Sequence, residues 1–146
     1  MNIQSNPGQQ FAHTFAAAWT RLQRQLDNQL CMIRGISLAE YRLLKGLAES
    51  PRSMASRVDL AAAVGLTPSA ITRALRPLEK MGLVSTVKAK RDARLAIATL
   101  SPAGAELLQD ASGVVNDTMD AILGRAPRTS AEIGLLSEAL SELARA

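Results

Sequence analysis

The sequence predicts a mainly α-helical fold with one small β-hairpin. Three observations carry this. Apolar residues recur at helical spacing in six stretches. Ser, Thr, Pro and Gly bracket most of them as start and stop signals. Two short β-rich runs, 83–88 and 95–99, flank a basic tip at 89–92.

Each element follows in order. Residues 10–33 set Phe11, Phe15, Trp19 (or Ala18), Leu22, Leu26 and Leu30 on one helical stripe, and Gly35 ends it. Ser37-Leu38-Ala39-Glu40 is a capping box that opens a second helix, which packs through Tyr41, Leu44, Leu47 and Ala48 and stops before Pro51. Ser56 begins a short third helix through Val58, Leu60, Ala61 and Val64, closed by Gly65. Thr67 caps a fourth, Pro68 suits its first turn, and Gly82 follows its end near Met81. Pro77 lies inside that helix and removes one amide, which predicts a modest bend. After the hairpin, Ser101-Pro102 opens a long helix with Leu108, Ala111, Val115, Met119 and Ile122 inward, broken by Gly124 and Pro127. Thr129-Ser130-Ala131-Glu132 reads as the capping box of a last helix bearing Ile133, Leu136, Leu140 and Leu143. Helix–helix–helix–hairpin in the middle is a winged helix-turn-helix. The outer helices are extra to it.

Composition sets bounds. The chain has 146 residues, 47% hydrophobic, enough for a core, and no apolar run nears the ~20 residues of a membrane span. Residues 1–10 lack the basic-then-apolar order of a secretory signal, and Cys31 alone cannot form an internal disulfide. A cytoplasmic protein is expected. Net charge is +4, unevenly spread. Residues 73–94 hold seven basic and two acidic side chains, net +5, whereas residues 95–146 hold three basic and seven acidic, net −4. That cluster is the footprint of a polyanion contact.

The fourth helix makes the chemistry specific. At 100° per residue with Ile71 at zero, Leu75 and Leu78 fall within about 40°, while Ser69, Arg73, Arg76 and Lys80 fall at roughly 140–200°. Thr72 sits at the edge, near 100°. One face is buried and the other presents cations, as a helix entering a DNA major groove requires. Thr67 and Ser69 stand at the N-terminal end, where free amides favour phosphate. Lys88, Lys90, Arg91 and Arg94 would give the hairpin a second contact in the minor groove. Asp92 among them would aim Arg94 through a charge-assisted bond.

These residues resemble the MarR family of winged-helix transcriptional regulators. The resemblance runs through Asp59-Leu60-Ala61, Gly65-Leu66-Thr67-Pro68-Ser69, Ile71-Thr72-Arg73 and Leu78-Glu79-Lys80-Met81-Gly82-Leu83-Val84. It continues in Asp92-Ala93-Arg94 and Thr99-Leu100-Ser101-Pro102-Ala103-Gly104, and is specific over about residues 35–105. Ala93 stands where many members carry a further Arg.

The stripes on the first and last helices exceed what a ~70-residue module can cover, and an uncovered stripe of that length seeks a partner. A twofold pair would space two reading helices about one DNA turn apart. The resemblance implies the same obligate homodimer. The whole chain, 1–146, then reads as one MarR-like domain: 37–102 is the winged helix-turn-helix, and 10–34 and 103–146 are dimerisation helices. The resemblance also implies a small aromatic acid or phenol bound between the dimer helices and the winged-helix lobe. Trp19, Tyr41, Met32 and Arg34 are candidate wall residues, although core or surface roles suit each better. Some members sense peroxides through a cysteine earlier in the first helix with tyrosines nearby. Here Tyr41 is the sole tyrosine, and Cys31 is expected to be a buried, inert thiol. His13 is the only histidine, too few for a zinc site with one Cys, and no cofactor is expected.

The function expected is a sequence-specific DNA-binding regulator: a ligand-responsive repressor on an inverted-repeat operator in double-stranded DNA. The alternative is a winged-helix interaction or dimerisation module without DNA binding. No Gly-rich phosphate loop, Ser/His/Asp set or metal-spaced cluster supports an enzyme.

Overall fold

The computed structural model describes residues 6–89 and 92–146. Its helices are α1 (Pro7–Arg34), α2 (Leu38–Glu49), α3 (Arg57–Val64), α4 (Pro68–Lys80), α5 (Pro102–Gly124) and α6 (Pro127–Arg145). Strands β1 (Met54–Ser56), β2 (Val84–Ala89) and β3 (Asp92–Leu100) form one antiparallel sheet in the order β1-β3-β2. This is a winged helix with long helices on either side, as the sequence predicts.

The caps show how local chemistry sets the element ends. Ser37 Oγ accepts from Glu40 N at 3.1 Å, and the Glu40 carboxylate accepts from Ser37 N at 2.8 Å. Asp27 of α1 adds a bond from Leu38 N at 2.7 Å, tying the start of α2 to the first helix. Ser56, Thr67 and Ser101 cap α3, α4 and α5 as expected. Two ends differ from expectation. Helix α1 starts earlier, at Pro7, because Asn6 and Gln9 form a further capping box. Helix α6 starts at Pro127 behind Ala126 with no side-chain cap, so the Thr129–Glu132 box is not used. Proline at the first helical position begins the helix two residues before Thr129 could cap it.

Leu30, Ile36, Leu43, Leu44, Leu47, Leu60, Ile71, Leu75 and Leu78 are fully buried and form the core of α1–α4. Leu43, rather than the exposed Ala48, lies on the packed face of α2, and Val58 faces solvent. Strand β1 was not expected. It pairs Met54 with Thr99, Ala55 with Ala98 and Ser56 with Ile97, fastening the entry of α3 to the wing. The wing also exceeds its predicted length: β2 runs one residue beyond Lys88, and β3 starts at Asp92 and ends at Leu100.

The outer helices leave apolar surface in the open. Phe11 and Phe15 stack with ring centroids 5.8 Å apart, and with Trp19 they stay exposed along the first half of α1. Helix α6 has no buried residue; Ile133, Leu135, Leu136, Leu140 and Leu143 are all exposed.

Candidate nucleic-acid interface

Helix α4 owes its position to its apolar side. Ile71, Leu75 and Leu78 are buried in the core, so the opposite side must face outward. Thr67, Ser69, Arg73, Arg76 and Lys80 are exposed, and Thr72 is half-buried at the edge. Among the described residues, no carboxylate pairs with Arg73, Arg76 or Lys80. Two hydroxyls have local duties. Thr67 Oγ1 accepts from Ala70 N at 3.2 Å, and Thr72 Oγ1 donates to Pro68 O at 3.1 Å. Pro77 sits inside the helix, half-buried, and the hydrogen bond from Met81 N to Pro77 O at 3.0 Å continues the chain beyond it.

Both ends of α4 are held. At its entry, the Arg42 guanidinium of α2 donates to Val64 O, the last residue of α3 before the turn. At its exit, Gly82 adopts φ 72°, a left-handed conformation that glycine takes without strain. Leu83 N then donates to Leu78 O at 2.9 Å, closing the helix. Ser101 Oγ donates to Gly82 O at 2.7 Å and Ser101 N to Leu83 O at 3.0 Å, so the start of α5 grips the same corner. Glu79 of α4 accepts from Thr86 Oγ1 of β2, joining helix and wing.

Lys88 is exposed on β2. The side chains of Asp92 and Arg94 lie outside the described residues, as do Lys90 and Arg91 altogether. The wing tip and the expected bond between Asp92 and Arg94 therefore stand as sequence readings. Sequence reasoning missed Arg57, the first residue of α3. It lines a cleft of about 590 Å³ between α4 and the wing, and its Nε is buried with no hydrogen-bond partner among the described residues. A start-of-helix arginine gave no signal, because the cleft exists only once β2 has folded beside α4.

The candidate ligand-wall residues separate. Trp19 lines a cavity of about 370 Å³ between α1, α2 and the turn before α4, with Arg24, Arg42, Leu38 and Leu66. Arg34 lines a different cavity of about 730 Å³ between α1 and α5. Tyr41 is core, its hydroxyl 3.3 Å from Ser112 Oγ, and Met32 is 80% exposed. Cys31 is exposed, contrary to expectation, because it lies on the outer side of α1 one residue past the buried Leu30. Its thiol pKa is nonetheless raised, by partial desolvation first and then by the Asp27 and Glu40 carboxylates. Among the described residues, no group of three His, Cys, Asp or Glu could hold a metal, and no helix is long and apolar enough to cross a membrane.

The family model described as MarR family matches residues 36–95, from the residue before the α2 cap into β3. That segment is 60 of the chain's 146 residues, and over it the chain resembles the MarR family. Three solved structures show how far the likeness extends. Sulfolobus solfataricus BldR, a transcriptional regulator, is 27% identical over 91% of this chain and 94% of its own, with a TM-score of 0.77. Streptomyces coelicolor Sco3205, a MarR family transcriptional regulator solved in complex with DNA, is 28% identical over 94% and 92%, with a TM-score of 0.76. NadR, solved in complex with 4-hydroxyphenylacetate, is 26% identical over 99% and 96%, with a TM-score of 0.72. No protein with a curated description matches the chain. The likeness to these transcriptional regulators spans the outer helices as well as the winged helix.

Proposed function

We propose that the chain is a ligand-responsive repressor that binds an inverted-repeat operator in double-stranded DNA as a homodimer. The observation that carries this is the row of Ser69, Arg73, Arg76 and Lys80, exposed and free of ion pairs among the described residues, on a helix held at both ends. In this reading α4 enters the major groove. Arg73 and Arg76 donate to guanine edges, Thr67, Ser69, Thr72 and Lys80 meet phosphates or base edges, and Lys88, Lys90, Arg91 and Arg94 take the wing to the minor groove. The exposed stripes of α1 and α6 support pairing, since two protomers can cover them together. Residues 10–34 and 103–146 thus act as dimerisation helices around the winged helix of 37–102.

The effector is a small aromatic acid. The Trp19 cavity offers an indole, an apolar floor in Leu38 and Leu66, and two cations in Arg24 and Arg42. NadR supplies a relative whose structure holds such an acid. Arg42 also holds Val64 O at the turn before α4, so an acid that draws Arg42 away would loosen that turn. The ligand shifts the protein only by its differential affinity for the two arrangements.

The test is binding to an inverted-repeat duplex at several salt concentrations. Log affinity should fall steeply with log salt, because each neutralised phosphate releases counterions. A flat response would leave a dimerisation module without DNA binding as the reading.

A further inference from the structure

We propose that the cleft between α4 and the wing seats one sugar-phosphate strand of the bound duplex, with Arg57 as its principal cation. This rests on the DNA-reading geometry above. A duplex that takes α4 in its major groove and the wing in the adjacent minor groove must pass one backbone between them, because a phosphate strand is what separates the two grooves. The space that strand would cross is the cleft of about 590 Å³ lined by Arg57, Lys88, Ser85, Thr86, Glu79 and Ser101.

Arg57 brings an unspent donor to that space. Its Nε has no acceptor among the described residues, so a guanidinium that turns toward the cleft gives up no Nε hydrogen bond in doing so. Neither ion pair among the described residues involves it. A phosphate oxygen is the acceptor that suits a guanidinium, and Lys88 adds a second cation to the same lining. Glu79 is the opposing charge. Its Oε1 accepts from Thr86, and its carboxylate beside a phosphate lowers affinity. Arg57 and Glu79 therefore tune sequence-independent binding in opposite directions.

The experiment uses fluorescence anisotropy with a random-sequence duplex and an inverted-repeat duplex, over roughly 50 to 200 mM salt. It compares the intact protein with Arg57→Gln, Arg57→Lys and Glu79→Gln, each with its thermal midpoint measured. Arg57→Gln should reduce the slope of log affinity against log salt by about 1.8, the loss of one phosphate contact in each protomer of the homodimer. It should weaken both duplexes by the same factor. Arg57→Lys should keep the slope. Glu79→Gln, which retains an oxygen to accept from Thr86, should tighten binding to both duplexes several-fold. An Arg57→Gln protein that melts lower but keeps the original slope would make Arg57 a purely structural residue and overturn the proposal. If Arg57→Gln does not fold, unchanged affinity in Glu79→Gln overturns it instead. A flat salt response in the unmutated protein would sink the DNA-reading proposal itself, a separate result.

Discussion

Replacing Gly104 by alanine tests how tightly the corner behind the reading helix is built. A Cβ at this position would lie 2.2 Å from Leu83 O and 2.8 Å from Leu100 Cδ1. The first is backbone, and ordinary C···O contacts begin near ~3.3 Å. Something must therefore move by about 1 Å. The carbonyl cannot move freely, because it accepts from Ser101 N at 3.0 Å. Gly104 N in turn donates to Ser101 Oγ at 3.0 Å, so α5 cannot retreat without losing its cap. Overpacking of this kind costs about 1–3 kcal/mol, and one weakened hydrogen bond adds about 1 kcal/mol. A total of about 2–4 kcal/mol in a chain of this size lowers the melting midpoint by roughly 5–15 °C. Gly113 on the same helix is the control, since a Cβ there would meet nothing within 4 Å. Gly113→Ala should gain about 0.5–1 kcal/mol from helix propensity and melt slightly higher. Circular dichroism melts at matched protein concentration separate the two, concentration being fixed because association shifts the midpoint. A Gly104→Ala protein that melts at or above the unmutated chain would refute the packing described for this corner.

Three further outcomes follow from the same geometry. Arg73→Ala or Arg76→Ala should cost on the order of 1–3 kcal/mol on the operator and relax base preference, checked by competition between matched and mismatched duplexes. Leu136→Glu combined with Leu140→Glu should convert a dimer into a monomer in sedimentation velocity, whereas a pair that stays dimeric places the interface elsewhere. Cys31 should react with a thiol reagent more slowly than free cysteine at neutral pH. Its raised pKa leaves less thiolate below that value, so the rate should climb only at higher pH. Labelling should leave DNA binding intact, and loss of binding on labelling would give Cys31 a regulatory role.

Features decided within a few residues were legible in the sequence. Ser37, Ser56, Thr67 and Ser101 announced their helices because a cap needs only its own next three residues. The apolar and basic sides of α4 were legible for the same reason, as a consequence of 3.6-residue periodicity. What escaped depends on distant partners or on competition between signals. Strand β1 is three residues long and exists through pairing with β3, far along the chain, which no local pattern encodes. Leu43 displaced Ala48 because α3, α4 and α5 all pack on α2 and widen its buried face. Pro127 overrode the Thr129 box by starting the helix first. Cys31 followed its position on α1 rather than the general habit of cysteine to hide. Arg57 escaped because its relevance comes from a cleft whose other wall is β2.

The uncapped last helix has a consequence for how the regulator responds to its own abundance. A nineteen-residue helix with no buried side chain gains little from its own protomer, and a solitary helix of that length is marginal in water. In the proposed homodimer its order is acquired together with a second copy. Dilution of such a dimer would fray the C-terminus and separate the two reading heads at once, and occupancy of the proposed operator at low copy number would then rise with the square of chain concentration rather than in proportion to it.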